Sequence, residues 1–226
     1  MVNVLQPSDV EYRREIKAPL DAEQYFELID FIDSALSPIR KTYPDRYISS
    51  IYYDNTVYKD YLENVSGQSI RSKTRVRWYD SDYSTAVLEF KSKINKTTAK
   101  HKINLNASIF DSDFKGESLK NILHSLGYSD LAHGLELLYP TVKVTYDRRY
   151  FELISGIRLT LDKNIQYSIF HDNNYFLNKL HSPVYAVLEI KFFNYDADLV
   201  NDFLNDLPIR FFRHSKYVIG IDMLYK

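Results

Sequence analysis

The sequence predicts an α+β fold in which an eight-stranded antiparallel β-barrel has helices packed on its outside and at its ends. Ionic and apolar residues alternate along most of the predicted strands, and one strand carries only positive charge on one face. Twenty tyrosines and 13 phenylalanines stand against six glycines, which suits aromatic packing on strands better than flexible loops. The 226 residues are enough for one large domain, predicted to cover 1–226 without an internal linker.

The third predicted strand, residues 71–79, is the most informative part of the chain. Successive side chains of a strand point to opposite faces, so Thr74, Val76 and Trp78 share one face. The other face carries Arg71, Lys73, Arg75 and Arg77. Like charges this close repel each other, and an exposed strand face normally mixes both signs. The pattern therefore predicts that this face lines a site for a polyanion.

The first half of the chain is predicted to contain five strands and two helices. A strand is predicted wherever ionic residues recur at every second position. Asp21 is suited to cap the first helix, which ends before Pro38, and the short second helix stops at Ser66-Gly67. In order, the strands are predicted over 10–18, 46–53, 71–79, 85–94 and 98–105, with a hairpin loop over 80–83.

The second half is predicted to contain two longer helices and three strands. Gly127 ends a helix whose leucines have helical spacing, and a strand begins after Pro140. Arg148 and Arg149 are adjacent in that strand, so both can face inward only if it contains a bulge. The remaining predictions are a helical piece over 131–138, a strand over 156–167, a loop over 171–182, a strand over 183–193, a helix over 196–207 and a short apolar end.

Charge and composition exclude several classes of function. The formal charge of −1 and the pI near 6.6 provide no overall attraction to nucleic acid or to an anionic membrane, so a basic site must be local. The chain has no cysteine, which excludes disulfides and thiolate metal sites and is compatible with a reducing compartment. Because no apolar stretch approaches about 18 residues and the N-terminus lacks a signal pattern, the sequence predicts a soluble, cytoplasmic protein without membrane insertion.

Cationic strand faces that point into a barrel require a compensating anion. Burying unpaired guanidinium and ammonium groups is costly, so the interior must stay wet or hold an anionic ligand. Arginine donates to phosphate through two parallel N–H groups and lysine acts as a point charge, so a linear phosphate chain would match the site. No Walker or kinase motif is present. Four carboxylates from different strands could converge on Mg²⁺ or Mn²⁺, namely Glu15, Glu89, Asp162 and Glu189.

A family resemblance appears at these residues. The motifs that carry it are Glu15-Ile16-Lys17, Arg71 to Tyr79, Leu88-Glu89-Phe90-Lys91, Tyr146-Asp147-Arg148, Ile157 to Asp162, Leu188-Glu189-Ile190-Lys191 and Ser215-Lys216-Tyr217. Together they cover nearly the whole chain and resemble the vacuolar transporter chaperone (VTC) polyphosphate polymerase domain, a member of the triphosphate tunnel metalloenzymes. The resemblance implies an eight-stranded tunnel that uses ATP and Mn²⁺ or Mg²⁺ to extend inorganic polyphosphate with release of ADP.

Together with the strand pattern, the resemblance implies roles for individual residues. The catalytic positions would be Lys17, Arg75, Arg77, Lys91, Arg148, Arg158 and Lys216. The substrate-binding positions would be Arg13, Arg71, Lys73, Lys93, Lys100, Lys102, Lys191 and Ser215. Glu189 would hold the metal, and the further candidate ligands are Glu89, Glu15 and Asp162. Asn64 stands where the eukaryotic polymerases have a further tunnel arginine, and Arg71 is a candidate to compensate for it.

Three functions fit this constellation. The first is an ATP-dependent polyphosphate polymerase whose partners are ATP and polyphosphate. The second is a metal-dependent triphosphatase or polyphosphatase, which needs the same cationic interior. The third is a noncatalytic module that binds polyphosphate or nucleotide. Nucleic-acid binding is least favoured because a closed tunnel would exclude a duplex, and a membrane-protein partner stays open.

Ordinary structural roles compete for some of these residues. Each Leu-Glu-x-Lys motif, taken alone, is more typical of a cross-strand salt bridge than of a metal site. Ser215 has no evident base partner in the sequence, so a phosphate contact is expected of it and not a nucleophilic role. The six histidines show no metal-ligand spacing and are expected on the surface or in loops, and Arg149 is expected to be structural.

Overall fold

The computed structural model describes most of the chain. The described residues are 13–34, 37–94, 97–105, 109–110, 113–153, 156–171, 175–205, 207 and 209–225. They form the strands β1 (Arg13–Leu20), β2 (Ile39–Asp54), β3 (Ile70–Tyr79), β4 (Asp82–Ile94), β5 (Thr97–Asn104), β6 (Tyr139–Leu153), β7 (Arg158–His171), β8 (Tyr175–His181) and β9 (Ala186–Phe193). The helices are α1 (Ala22–Asp33), α2 (Lys59–Val65), α3 (Gly116–Ser125), α4 (Ala197–Asn205) and α5 (Lys216–Tyr225).

All nine strands belong to one antiparallel sheet. Neighbouring strands follow the order β1-β9-β7-β6-β2-β3-β4-β5, and β8 pairs with β7. The long strand β7 pairs with two shorter strands along the same edge. Its residues 158–163 pair with β9, and its residues 166–171 pair with β8. The strands β3, β4 and β5 are consecutive both in the chain and in the sheet. This register decides which charged side chains lie opposite each other.

The sheet is strongly curled, so that side chains from its two ends meet. Glu15 Oε2 on β1 lies 3.6 Å from Lys91 Nζ on β4, although five strands separate β1 from β4 in the sheet order. In a flat sheet that separation would be roughly 29 Å, at an interstrand spacing of ~4.8 Å. Within the described residues the backbone ladder stays open between β1 and β5. The predicted antiparallel fold with outer helices is confirmed, and the barrel takes the form of a curled sheet.

Apolar residues on the outer face of the sheet form two cores beneath the helices. The first core lies under α1 and α4, where Leu28 and Phe203 pack with the outward side chains of β1, β7 and β9. The second core lies under α3, where Leu119 belongs to the same cluster as Val76 and Trp78 of β3. The alternation predicted for these strands is confirmed, because their ionic residues lie on the opposite, inner face.

A third apolar cluster occupies one end of the inner face and packs around α5. Tyr217 and Ile221 of this helix lie in one cluster with Val142 of β6 and Tyr167 of β7. Helix and sheet approach most closely at Gly220, where an added Cβ atom would lie 2.7 Å from Val142 Cγ1 and 2.9 Å from Tyr167 Cδ1. The rest of the inner face carries charged side chains. None of the helices in the described part of the chain, α5 included, has the length and hydropathy to cross a membrane.

An exposed and a buried carboxylate fix the N-terminal ends of two helices. Asp21 caps α1 as predicted, because its carboxylate accepts the N–H of Gln24 while the Gln24 side chain accepts the N–H of Asp21. At the end of β2, Asp54 accepts the N–H of Tyr61 at the start of α2 and also the hydroxyl of Tyr217. Asp54 therefore ties β2, α2 and α5 together behind the charged part of the inner face.

Three parts of the fold differ from the sequence predictions or refine them. The predicted loop over 171–182 was wrong, because it contains β8 and raises the number of strands from eight to nine. A register shift between Thr145 and Asp147 supplies a bulge in β6, and Arg148 faces inward while Arg149 lies over the Phe151 ring on the outer side. The apolar C-terminal end is a helix, α5. Residues 10–12 of the first predicted strand lie outside the described residues.

Candidate active site

Three lysines lie in direct register on the inner face. Lys73 on β3, Lys91 on β4 and Lys100 on β5 are opposite one another across three adjacent strands, and we call them the lysine row. Like charges directly opposite each other destabilise a sheet. The repulsion within the lysine row is offset in part by carboxylates near Lys91 and Lys100, and an anion over the row would offset it further. Arg75 is the next residue of β3 on the same face, and the register places a carboxylate, that of Glu89, directly opposite it.

Glu89 lies close to four cations from β3 and β5. We call this group the Glu89 cluster, and its cations are Arg75, Arg77, Lys100 and Lys102. Its carboxylate lies 2.5 Å from Arg75 Nε and 2.7 Å from Lys100 Nζ. Arg77 and Lys102 are more distant, at 3.8 and 4.0 Å. Burial opposes ionisation of Glu89, but the surrounding cations, Arg75 first, outweigh it and hold the pKa of this carboxyl well below its ordinary value. One carboxylate is thus shared among four cations.

Hydroxyl groups from β2 and β6 orient the two arginines of this cluster. Arg75 Nη1 donates to the Tyr52 hydroxyl at 3.0 Å. Arg77 is buried, and it donates through Nε to Ser50 Oγ at 3.2 Å and through Nη2 to the Tyr146 hydroxyl at 3.3 Å. Sequence reasoning missed these three hydroxyl groups. The alternation along β2 could have indicated Ser50 and Tyr52, since they share the inner face of that strand.

A second group of charged residues surrounds Lys17. We call it the Lys17 cluster, and its other members are Glu15, Lys91, Glu189 and Lys191. Lys17 Nζ lies 3.0 Å from Glu15 and 3.2 Å from Glu189, while Lys191 Nζ lies 2.5 Å from Glu189. Glu15 also faces Lys91 at 3.6 Å. Burial favours protonation of Glu15, but the lysines outweigh it and lower the pKa of this carboxyl to about 2. Both glutamates are therefore ionised at neutral pH.

The third group of charges is fully buried and joins β6, β7 and α5; we call it the Asp162 cluster. Arg148 donates to both oxygens of Asp162, at 2.5 Å from Nε and 2.7 Å from Nη2. Lys216, the first residue of α5, donates to the same carboxylate at 2.6 Å. Burial alone would raise the pKa of Asp162, but Arg148 and Lys216 lower it to about 2. The two cations hold one carboxylate between them.

A family model places this arrangement among known proteins. The model of the VTC domain matches residues 12–225, a span that includes all three clusters and the lysine row. The chain belongs to the VTC domain family. No curated protein sequence matched this VTC domain.

Three solved structures resemble the VTC domain at low sequence identity. HpAC1 from Hippeastrum, a candidate adenylyl cyclase described as having a dominant triphosphatase activity, has a TM-score of 0.58 at 14% identity over 93% of this chain and 95% of that chain. The candidate adenylate cyclase bh2851 from Bacillus halodurans has a TM-score of 0.52 at 12% identity over 96% and 98%. The PH1819 protein from Pyrococcus horikoshii OT3 has a TM-score of 0.51 at 12% identity over 93% and 96%. These likenesses show a shared fold.

The carboxylates predicted as metal ligands do not meet at one point in the VTC domain. Glu15 and Glu189 belong to the Lys17 cluster, whereas Glu89 and Asp162 belong to the other two clusters. Across the ranges that the structure describes, no three Asp, Glu or His side chains are grouped so as to hold a metal ion. The physical reason is the register, which places Arg75 opposite Glu89 and Arg148 opposite Asp162 and so holds these two carboxylates in separate ion pairs. Glu15 and Glu189 alone fit Mg²⁺ or Mn²⁺, because such ions are often held by one or two carboxylates together with substrate phosphates.

The remaining predicted residues lie at the margins of the charged surface. Arg158 on β7 shares the face of Asp162 and is exposed. Arg71 donates to a backbone oxygen of the preceding loop at 2.8 Å, which leaves it at the open end of β3. Asn64 donates its side-chain amide to the backbone of α2 and contributes no charge. The side chains of two predicted binding residues, Arg13 and Lys93, lie outside the described residues.

Two residues just before α5 differ from their sequence expectation. Ser215 has a close basic neighbour after all, because Lys73 Nζ lies 2.8 Å from its Oγ atom. His214 is in a loop, as expected, but is buried, and its Nε2 atom has no hydrogen-bond partner in the part of the VTC domain that the structure describes. Burial, Lys216 and Lys17 lower the pKa of His214 to about 3, so the imidazole is neutral at neutral pH. The only sequence signal for His214 was its position beside the Ser215-Lys216 motif.

Proposed function

We propose that this protein is an ATP-dependent polyphosphate polymerase, which transfers the γ-phosphoryl group of ATP to a polyphosphate chain on the inner face of the sheet. The lysine row is the observation that carries this proposal, because three like charges in register favour a ligand with closely spaced negative charges. Each of the four carboxylates on the inner face lies near at least two cations; these carboxylates are Glu15, Glu89, Asp162 and Glu189. The inner face therefore has an excess of positive charge, although the whole chain has a net charge of −1.

Phosphoryl transfer depends mainly on positioning the reactants and neutralising their charge. Arg75, Arg77 and Arg148 offer the forked donors that suit phosphate oxygens. In each cluster a bound phosphate would compete with the resident carboxylate for the same cations. Lys216 and Ser215 stand at the N-terminus of α5, where the helix adds a partial positive charge to the same face. These residues would hold the donor and acceptor phosphates in place.

A divalent metal fits the Lys17 cluster. We assign Glu189 and Glu15 as its protein ligands, with phosphate oxygens completing the coordination. Bound there, Mg²⁺ or Mn²⁺ would neutralise charge on the reacting phosphates. Chelation with EDTA is expected to abolish turnover, and Glu189→Gln should raise the Mn²⁺ concentration required for the half-maximal rate by about tenfold or more, as loss of a direct or supporting metal contact does. An unchanged metal requirement in Glu189→Gln would remove this residue from the site.

A second candidate function is hydrolysis of triphosphate or polyphosphate. It is favoured by the dominant triphosphatase activity described for HpAC1, whose structure covers 93% of this chain. The same cations and metal would bind the substrate, and water would replace the chain end as the acceptor. The two activities therefore differ in product and not in the predicted binding residues.

Product analysis separates these functions. Purified protein is incubated with ATP and Mn²⁺, and ADP, orthophosphate and polyphosphate are measured over time. The proposal predicts ADP together with phosphate chains that are degraded to orthophosphate by an exopolyphosphatase. Orthophosphate as the sole phosphate product would establish the hydrolase instead. Binding of ATP with neither product would identify a noncatalytic module.

Lys91→Met tests whether the lysine row serves a ligand. Removing the central charge removes its repulsion with both Lys73 and Lys100, and Glu15 still has Lys17 as a partner, so thermal stability without ligand should stay the same or rise. Turnover should fall roughly 100-fold, as when one electrostatic contact to a transition state is lost. Lys120→Met is the matched control, because Lys120 on α3 has glutamates at 3.8–3.9 Å, a distance like the 3.6 Å between Lys91 and Glu15, but faces away from the site. Loss of stability without loss of turnover in Lys91→Met would contradict the proposal.

A further inference from the structure

Lys73 and Ser215 form a hydrogen-bonded pair whose chemistry goes beyond the binding of phosphate. Lys73 lies in the middle of β3 and Ser215 immediately precedes α5, 142 residues later in the chain. Their Nζ and Oγ atoms are 2.8 Å apart. A hydroxyl and a basic group within this distance are the usual signature of an activated nucleophile. Serine paired with lysine is one of its known forms.

The surroundings of Lys73 favour its neutral form, which is the form that accepts a proton. Lys17 and Lys216 are ion-paired with carboxylates, whereas the described contact of Lys73 is to a hydroxyl. Among the described residues, the charged groups that act on it most strongly are cations, namely Lys17 from β1, Lys91 from β4, and Arg71 and Arg75 from its own strand. Burial and these cations lower the pKa of Lys73 to about 7. At neutral pH Lys73 is therefore divided between a protonated form, which adds charge to the lysine row, and a neutral form, which can act as a base.

We propose that Ser215 is a nucleophile activated by Lys73, and that it accepts a phosphoryl group from a bound triphosphate to form phosphoserine. The inference rests on the proposed function, which supplies ATP as the phosphoryl donor. Ser215 Oγ forms a bond to the γ-phosphorus while the bond from that phosphorus to the β,γ-bridging oxygen breaks, and ADP leaves. The hydroxyl proton passes to the neutral Lys73 amine. No further reactant is required for the step to balance.

The position of Ser215 also suits the product. Its Oγ accepts the N–H of Val218 at 3.4 Å, so the serine caps α5, a helix of ten residues. A phosphate group on an N-terminal cap is stabilised by the partial positive charge of the helix end. Lys73 and Lys216 are near enough to contribute positive charge as well. A purely structural cap would explain the contact with Val218 but not the lysine within hydrogen-bond distance.

The test is a single-turnover reaction of the full chain with ATP and Mn²⁺, quenched in acid, which preserves phosphoserine. Intact-mass measurement detects the added phosphoryl group, and peptide fragmentation locates it. Ser215→Ala should remove the modification from this site. Lys73→Met and Lys73→Arg should each slow it by roughly 100-fold, the contribution of a general base. The arginine variant matters because it keeps the charge and the donor but cannot take up a proton at neutral pH.

Control variants and a pH series separate this role from a structural one. Lys120→Met and Ser66→Ala alter a partly buried lysine on α3 and an exposed serine that donates to the backbone of α2, and should leave the modification unchanged. The rate of phosphorylation should rise as pH increases towards about 7 and then level off, following deprotonation of Lys73. Lys73→Arg should remove this pH dependence. Melting curves of all variants verify that they are folded.

The outcomes distinguish this inference from the proposed function. Phosphoserine at position 215 that depends on Lys73 supports the inference, whether or not polyphosphate accumulates. Polyphosphate or orthophosphate formation with no modified Ser215 overturns the inference and leaves catalysis in place. An undiminished rate of modification in Lys73→Met also overturns it. If neither modification nor turnover occurs, both the inference and the proposed function fail.

Discussion

At the scale of single residues, the inner face depends on carboxylates that are shared among cations. Glu89 and Asp162 are buried, and each holds a cation directly opposite it in the sheet register. Removing one member of such a group leaves the other charges buried and unpaired, which costs more than the pair itself contributes. These carboxylates therefore maintain a cationic surface that would otherwise repel itself.

Asp162→Asn should strongly destabilise the protein at neutral pH. The variant leaves Arg148 and Lys216 without their common carboxylate, and a loss of about 3–5 kcal/mol in the free energy of unfolding is expected from a broken buried ion pair. The folded pKa of about 2 is below the ordinary value of ~3.9. The stabilisation by Asp162 is therefore complete above pH ~4 and is lost as pH falls towards about 2.

Urea denaturation of wild type and Asp162→Asn at several pH values measures this effect. The difference between the two proteins should be largest near neutrality and should shrink as pH falls from about 4 to about 2. Asp130→Asn is a suitable control, since Asp130 is exposed and a change there should stay within about 0.5 kcal/mol. A difference that is independent of pH would show that the carboxylate does not carry the effect through its charge.

Glu89→Gln should bind tripolyphosphate more tightly while being less stable without it. The carboxylate lies among four cations, so its removal increases both their mutual repulsion and their attraction for an anion. One unit charge near a bound phosphate at a partly screened distance is worth about 1–2 kcal/mol, which corresponds to roughly tenfold in affinity. Calorimetric titration in the absence of metal measures the change. Weaker binding by this variant would contradict the view that Glu89 competes with the ligand.

Sequence patterns predicted which residues face inward but not their partners. The alternation around Arg75 and Glu89 was sufficient to place both on the inner face, because strand periodicity is local. The contact between Lys73 and Ser215 joins residues 142 positions apart, so only the folded chain brings them together. His214 was missed for the same reason, since nothing in its immediate sequence indicates burial.

At the scale of elements, the strands with strong alternation were predicted and two less regular segments were not. The ends of β3 and β4 lie within a few residues of the expectation. β8 was missed because its residues lie in a stretch rich in Asn and His, which resembles a loop. α5 was not recognised because apolar residues cover most of its circumference, and a short apolar run cannot be assigned by periodicity alone.

Gly220→Ala tests the close packing of α5 against the inner face. Alanine would add about 1 kcal/mol of helix propensity, but its Cβ would collide with Val142 and Tyr167, both fully buried. The net effect should be destabilisation by about 1–3 kcal/mol, the usual cost of overpacking. Asn121→Ala on the exposed face of α3 is the control and should be neutral or slightly stabilising. Stabilisation by Gly220→Ala, measured by urea denaturation, would show that α5 does not pack as closely as described.

At the scale of the whole molecule, curling of the sheet converts scattered local patterns into one charged surface. The lysine row comes from β3, β4 and β5, whereas Lys17 and its glutamates come from the opposite end of the sheet. No segment contains the site by itself, so the alternation in each strand is informative only when the strands are brought together. The extent of the domain over 1–226 stays a prediction, and a single cooperative unfolding transition would support it.

Tripolyphosphate should stabilise the folded protein against heat. A ligand that binds only the folded state contributes about 2.7 kcal/mol at one hundred times its dissociation constant. The increase in melting temperature should shrink as sodium chloride is added, because screening weakens the attraction between the anion and a partly exposed cationic surface. Sodium chloride alone at matched ionic strength is the control. Equal stabilisation by chloride and by tripolyphosphate would indicate general screening and no specific site.

The central claim is that the inner face, and not the outer surface, binds a linear phosphate chain. The outer surface offers a direct comparison, since it has a cavity of about 380 Å³ whose lining includes Arg46, Arg149 and Lys163 as well as Asp45 and Asp147. The most direct measurement is a crystal structure of the protein with tripolyphosphate and Mn²⁺. We expect phosphates over the lysine row, with Arg75 and Lys17 in contact and the metal at Glu189. Phosphates found only in the outer cavity, with the inner ion pairs unchanged, would contradict it.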